Sequence, residues 1–303
     1  MQATTKIDRA ERRRQEQELT EQAVEQLRSS DGWQGWLTVR ARTGLRRYSL
    51  RNQCLIALQD EHATYVAGFR AWLRLGYCVR KGETSHLRVW APCPPSQKKL
   101  QAWRDAGAVP ADKPRTYFRL EAVFTQAQVQ PLPPPAEPVS LDPPFAELTG
   151  DSLAWALEPL EQLAGELGYS VTYRPLAKGH GGMCEPVARA LTINGEQSVN
   201  AQVSVLCHEL AHALVRHDRQ DDDPHLGYAA EELAAESVAH LAVSFVGLDS
   251  SAAAVPYLAS WAESAPADTF TRIAGLVDRL ASRLEQALDV DEDAGAAPAA
   301  AAA

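Results

Sequence analysis

Apolar residues recur three and four positions apart along several stretches of the chain and at alternate positions along shorter ones, a pattern of helices with a few strands. Leu19, Ala23 and Leu27 share a face of a charged, Gln-rich stretch, predicting an amphipathic helix over 7–28 that stops at Ser29-Ser30-Asp31-Gly32. The helical period continues over 33–43, aligns Leu50, Cys54 and Leu58 over 48–59, and gives a short helix over 69–75 ended by Gly76. Residues 77–79, 86–91 and 117–124 read as strands, the first two separated by a turn at Lys81-Gly82-Glu83. Prolines between Pro131 and Pro144 cannot donate to a strand ladder and predict a semi-rigid spacer. Beyond it come a helix over 153–167, a strand over 170–173, a flexible connector at 179–183, and a strand over 190–193. Helices follow over 198–216 and 228–246, and a last one over 268–288 carries a stripe of Phe270, Ile273, Val277, Leu280, Leu284 and Leu288. The expected organisation is one domain over 1–130, N-terminal helix included, a linker over 131–150, a second domain over 151–289, and a disordered Ala-rich tail over 290–303.

Chemistry concentrates at 207–214, CHELAHAL, inside one helical stretch. Residues four apart lie on one helix face, so His208 and His212 can both present imidazole nitrogens to a Zn²⁺ ion, with Glu209 beside it as the base that takes a proton from water. A catalytic zinc needs a third protein ligand, and the segment Tyr228–His240 offers Glu231, Glu232 and Glu236 on a second helix. Helix phase alone separates the three poorly. Glu232 is preferred because its place, twenty positions after His212, is similar to that of the third ligand in thermolysin-like gluzincins; Glu236 then stands where those enzymes carry a supporting acidic residue. Tyr228, His225 and His180 are candidates to stabilise an oxyanion. The strand over 190–193 suits the edge along which an extended peptide substrate would lie.

Composition alters this picture in one respect. The chain of 303 residues has a net charge of −9, yet residues 1–130 carry 22 Lys+Arg against 13 Asp+Glu, and residues 131–303 carry 8 against 26. Over 32–104 the balance is 13 basic to 3 acidic residues, interleaved with aromatics including Trp33, Trp36, Trp72, Trp90 and Trp103. Basic charge among rings suits single-stranded nucleic acid, where cations neutralise phosphates and rings stack on unpaired bases. The segment 92–114 adds Lys98, Lys99 and Arg104. Five cysteines without a CxxC pair argue against a disulfide framework and a thiolate metal site. With no apolar run of membrane-spanning length and a charged start, the expectation is a cytoplasmic protein without a membrane partner.

Tyr48, Asn52, Leu55 and Ile56, the run Val66-Ala67-Gly68-Phe69-Arg70-Ala71-Trp72, the turn Val79-Arg80-Lys81-Gly82-Glu83, and residues 117–129 together resemble the N-terminal single-stranded DNA-binding domain of ArdC-type antirestriction proteins. HELAHAL and YAAEELAAESVAHL are similar to the zincin-like metallopeptidase domain of that family, related to the ImmA/IrrE group. The resemblance implies an α+β fold: a small α+β DNA-binding domain, then a mainly helical zincin-like domain with a short sheet. On this basis Arg46, Arg47, Arg51, Arg70, Arg80 and Lys81 are expected to meet phosphates, with Asn52 and Trp72 near the groove. Three functions follow: a zinc peptidase acting on a DNA-associated protein or peptide, a non-proteolytic protector of single strands with a structural zincin domain, and a repressor-cleaving regulator.

Overall fold

The amphipathic stretches of the first sixty residues become three helices. In the computed structural model, which describes residues 9–289 apart from 43, 61, 111–112, 140, 142–148, 178, 219, 221–222 and 249–267, these are α1 (Arg9–Glu25), α2 (Ser30–Ala41) and α3 (Leu50–Gln59). Ser29 caps α2 by accepting from the Gly32 N–H at 3.0 Å, which satisfies one of the donors a helix start leaves open.

The alternating stretches that follow form β1 (Val66–Ala67), β2 (Tyr77–Val79), β3 (Leu87–Cys93), β4 (Tyr117–Thr125) and β5 (Val129–Pro131), with helices α4 (Phe69–Arg74) and α5 (Gln97–Asp105) between them. β4 pairs antiparallel with β1 on one side and β3 on the other, and β2 pairs antiparallel with β5. Leu87, Val89 and Val123 fall at alternate positions and are buried with Val66 and Trp72. Trp72 is fully enclosed: its indole N–H donates to the Phe124 carbonyl at 3.0 Å, and its ring meets Tyr77 edge to face at 5.7 Å. The proline segment was expected to run as a spacer, but its described part is tied down. The N–H groups of Leu132 and Val139 donate to the carbonyls of Gly76 and Leu75 at 2.8 and 3.0 Å, and the Tyr77 hydroxyl donates to the Val139 carbonyl at 2.8 Å. Prolines lack donors, so the residues between them carry the ties. Most of the remaining linker, 142–148, and the expected tail, 290–303, lie outside the described residues.

The C-terminal part contains α6 (Leu157–Glu166), β6 (Ser170–Arg174), β7 (Gly182–Glu185), β8 (Ala190–Asn194), α7 (Val199–His217), α8 (Tyr228–Phe245) and α9 (Thr269–Leu288). The sheet runs β6-β8-β7, with β6 parallel and β7 antiparallel to β8. Two expectations are corrected here. The strand over 190–194 is central rather than an edge, and the supposed connector at 179–183 leads into the edge strand β7, which packs beside α7. Gly182 reads as flexible because glycine disfavours strands; its register with β8, opposite Ile193, overrides that preference.

Two units emerge, one built from the described parts of 1–19 and 66–140 and the other from the described parts of 20–65 and 141–294. The division does not follow the expected boundary at residue 130, because α2 and α3 belong to the unit that carries α7 and α8. The side chains of α2 explain why. Trp33, buried, donates from its indole N–H to the Ser237 hydroxyl of α8 at 3.1 Å and packs edge to face on Phe270 of α9 at 6.2 Å. Arg40, 1% exposed, binds both Glu285 oxygens at 2.7 and 3.1 Å, Ser282 Oγ at 3.1 Å, and Asp278. Together these contacts fasten α2 to α8 and α9. Among the described residues no helix is long and apolar enough to cross a membrane.

Removing one partner of a buried ion pair leaves the others charged and desolvated, at a cost of about 3–5 kcal/mol. Arg40→Ala is therefore expected to lower unfolding stability by roughly that amount, measured by chemical denaturation.

Candidate metal centre

The site begins with helix spacing. α7 starts at Ser198, whose hydroxyl accepts from the Ala201 N–H at 3.3 Å, and runs nineteen residues with Val203, Leu206, Cys207, Leu210, Ala213 and Leu214 buried. This leaves His208 and His212 one turn apart on a partly open face. Their Nε2 atoms stand 3.2 Å apart. α8 faces them with small buried residues, Ala230, Ala234 and Ala235, which admit the close approach that brings its carboxylates within reach.

Each imidazole has one nitrogen turned inward and one outward. His208 Nδ1 lies 3.1 Å from Glu236 Oε2, and His212 Nδ1 lies 3.2 Å from Glu231 Oε1, which also accepts from Arg216 at 3.0 Å. A carboxylate at Nδ1 holds the proton there and leaves Nε2 with its lone pair. Two lone pairs converging at 3.2 Å repel unless a proton or a metal ion lies between them. Glu232 completes the set, with oxygens 3.8 Å from His208 Nε2 and 3.6 Å from His212 Nε2; one atom from each of the three residues lies within 4.8 Å of the others. Ligands at about 2.0–2.1 Å in a tetrahedron stand about 3.3 Å apart, so the spacing and the chemistry of the donors fit one small divalent ion. The three glutamates thus divide by position: Glu232 faces both Nε2 atoms, and Glu231 and Glu236 stand behind the rings.

Glu209 points from the same helix turn toward β7 and is 7% exposed. Burial pushes its carboxyl up to about 7, with Glu232 adding to the shift while His208 and the Cys184 backbone N–H oppose it. Burial also favours neutral imidazoles. It lowers His212 with help from His208, whereas at His208 the carboxylates of Glu236, Glu209 and Glu232 outweigh it and hold the ring above its ordinary value.

The residue missed by inspection of the sequence is Gly182. A Cβ there would stand 2.5 Å from Val205 Cγ1 and 2.8 Å from Glu209 Oε1, so the edge strand approaches the carboxylate only because this position lacks a side chain. The Gly181-Gly182 pair at the start of the edge strand was the available signal. Cavities open on both sides of His208 and Glu209. One, of about 400 Å³, is lined by Met183, Cys184, His212, Arg216, Tyr228 and Glu232; the other, of about 300 Å³, by His180, Ser204, Val205, Glu236 and His240. Tyr228, the first residue of α8, is 82% exposed at the larger one. His225 is an exposed loop residue.

The residues expected to contact DNA are divided between the two units. Arg46 lies over the Phe245 ring at 4.3 Å, Arg47 stacks on Tyr65 at 5.0 Å, Arg51 is exposed, and Asn52 is buried on α3. These four belong to the unit with α7 and α8. In the other unit Arg70 and Lys81 are exposed, and Arg80 bonds Glu83 at 3.0 Å and the Ala127 carbonyl. The burial of Trp72 and Asn52 corrects their expected place near a groove: both serve packing and offer no ring or amide face to a ligand.

Comparison with known proteins gives two domain matches. Residues 13–124 match the N-terminal domain of anti-restriction factor ArdC, and residues 164–257 match the IrrE N-terminal-like domain, the latter containing α7 and α8 whole. An uncharacterized protein of Bacillus anthracis is 25% identical over 244 residues, covering 72% of this chain and 41% of the relative, so the chain spans less than half of that protein's length. Crystal structures of the antirestriction ArdC protein from plasmid R388 are similar as well. The Mn(II)-bound form has a TM-score of 0.47 with 19% identity, covering 80% of this chain and 85% of that one. The metal-free form has a TM-score of 0.48 with 19% identity, covering 78% and 84%. The chain thus carries a segment that matches the ArdC N-terminal domain, followed by a segment that matches the IrrE N-terminal-like domain.

Proposed function

We propose that this chain is a zinc-dependent peptidase acting on a protein associated with single-stranded DNA, its N-terminal domain supplying the hold on DNA. The observation that carries the reading is the convergence of His208 Nε2, His212 Nε2 and a Glu232 oxygen beside the buried Glu209. In this reading His208, His212 and Glu232 hold the ion. Bound zinc supplies a Lewis acid that polarises a peptide carbonyl and brings the pKa of water to about 7.

The chain's own groups do the rest. Glu236 and Glu231 retain the Nδ1 protons and keep each ring turned with Nε2 inward. Glu209 takes a proton from the attacking water and returns it to the leaving amine, a role that its buried place beside the three proposed ligands allows. An extended peptide adds to the outer edge of β7, which draws its carbonyl past Glu209. Tyr228, at the mouth of the larger cavity, offers its hydroxyl to the oxygen on which charge develops. The antirestriction role named for the R388 protein enters as part of this proposal: cleaving a protein that acts on DNA spares the DNA.

In Glu209→Gln the carboxamide keeps its size but cannot accept the proton. We expect metal content as in the parent and peptide cleavage lowered by about 100-fold or more, read by elemental analysis and a fluorogenic peptide assay. Full activity in this variant would sink the peptidase reading. Glu236→Ala should keep cleavage chemistry available but weaken metal affinity by about 10–100-fold in a competitive chelator titration, because His208 loses the acceptor that fixes its ring. Gly182→Ala is expected to retain metal and lose cleavage, since the added methyl displaces Glu209 and leaves the three proposed ligands in place. Loss of metal in that variant would show that Gly182 serves the fold instead.

A further inference from the structure

β3 and β4 continue beyond the core that begins them. Leu87, Val89 and Val123 are buried on one face, and the register Arg88↔Ala122, Trp90↔Leu120, Pro92↔Phe118 sets these six residues on the other. Phe118 is 60% exposed and, on this face, diagonal to Trp90, close enough for the two rings to share a ligand. At this end Pro92, Tyr117, Phe118 and Arg119 are all exposed among the described residues. The connection between the strands contains α5, none of whose residues is buried, with Lys98, Lys99 and Arg104 in solvent. From 88 to 119 the chain holds seven Lys+Arg against two Asp.

We propose that the outer face of the β3–β4 hairpin, centred on Trp90 and Phe118 and continued by the basic α5 segment, is where single-stranded nucleic acid lies. The proposal rests on the DNA-binding part of the function above and gives it a location that the arginines of α3 and α4 do not supply. The exposed Phe118 ring, with the half-buried Trp90 diagonal to it, offers flat apolar surface that an unpaired base can stack on. The cations around them match a chain of phosphates, whereas an apolar protein partner would gain little from so unbalanced a charge. Phe118 stacks a base, and Lys98 and Lys99 neutralise phosphates where the strand leaves the hairpin. Duplex DNA, with its bases already stacked, leaves the rings unused.

The test is a fluorescence-anisotropy titration of the full chain with a labelled oligothymidylate of about 20 nucleotides across a KCl series, longer than the span of a single binding fold. Phe118→Ala should weaken binding by about 5- to 100-fold with an unchanged melting temperature, and Phe118→Tyr should restore most of it. Lys98→Glu with Lys99→Glu should reduce the slope of log affinity against log salt by about 1.4, near 0.7 for each lost phosphate contact. If the parent binds the oligonucleotide but Phe118→Ala matches it and the slope is unchanged, the location is wrong while the DNA-binding reading stands. If the parent does not bind at all, both fail. Phe118→Ala that binds DNA normally but loses a co-purifying protein assigns the face to a protein partner and overturns the proposal.

Discussion

The candidate centre depends on one constraint, that α8 holds three carboxylates against two imidazoles of α7. Helix periodicity brings His208 and His212 together, but it does not choose which nitrogen of each ring faces inward. Glu236 and Glu231 make that choice by standing at the two Nδ1 atoms. Once they do, two lone pairs meet 3.2 Å apart, and the remaining carboxylate, Glu232, completes a set of donors suited to a cation. A shift of α8 by one residue would rotate a different glutamate inward by about 100° and dismantle the arrangement.

What fixes α8 comes from a distant part of the chain. Ser237, the residue after Glu236, accepts from Trp33, and the helix bearing Trp33 is pinned to α9 through Arg40. Burying a guanidinium is expensive unless it is fully paired, and here Glu285, Asp278 and Ser282 pair it. Part of the segment that matches the ArdC N-terminal domain therefore packs in the unit that carries the candidate centre. A change in α2 has a physical route to Glu236.

Much of this was legible in the sequence, for reasons that also mark its limits. The spacing of His208, Glu209 and His212 is a property of any helix, and the apolar stripes of α7, α8 and α9 announce those helices directly. Period alone could not rank Glu231, Glu232 and Glu236, because their separate positions arise from the packing of two helices. β7 was hidden since Gly181-Gly182 reads as a break, and the requirement for glycine comes from Val205 and Glu209, more than twenty positions away. Aromatic content was the poorest guide: Trp33, Trp36 and Trp72 are all core, while Phe69 within the basic stretch and Phe118 beyond it are exposed. Composition records that rings and cations are present but not which face they occupy.

Anomalous diffraction at metal absorption edges, from crystals of the purified protein, would locate an ion held between α7 and α8. A single strong peak is expected about 2.0–2.2 Å from His208 Nε2, His212 Nε2 and a Glu232 oxygen, with Glu231 and Glu236 outside bonding distance. A peak bound through Glu231 or Glu236 in place of Glu232, or none at these histidines in protein kept free of chelators, would contradict this ligand set.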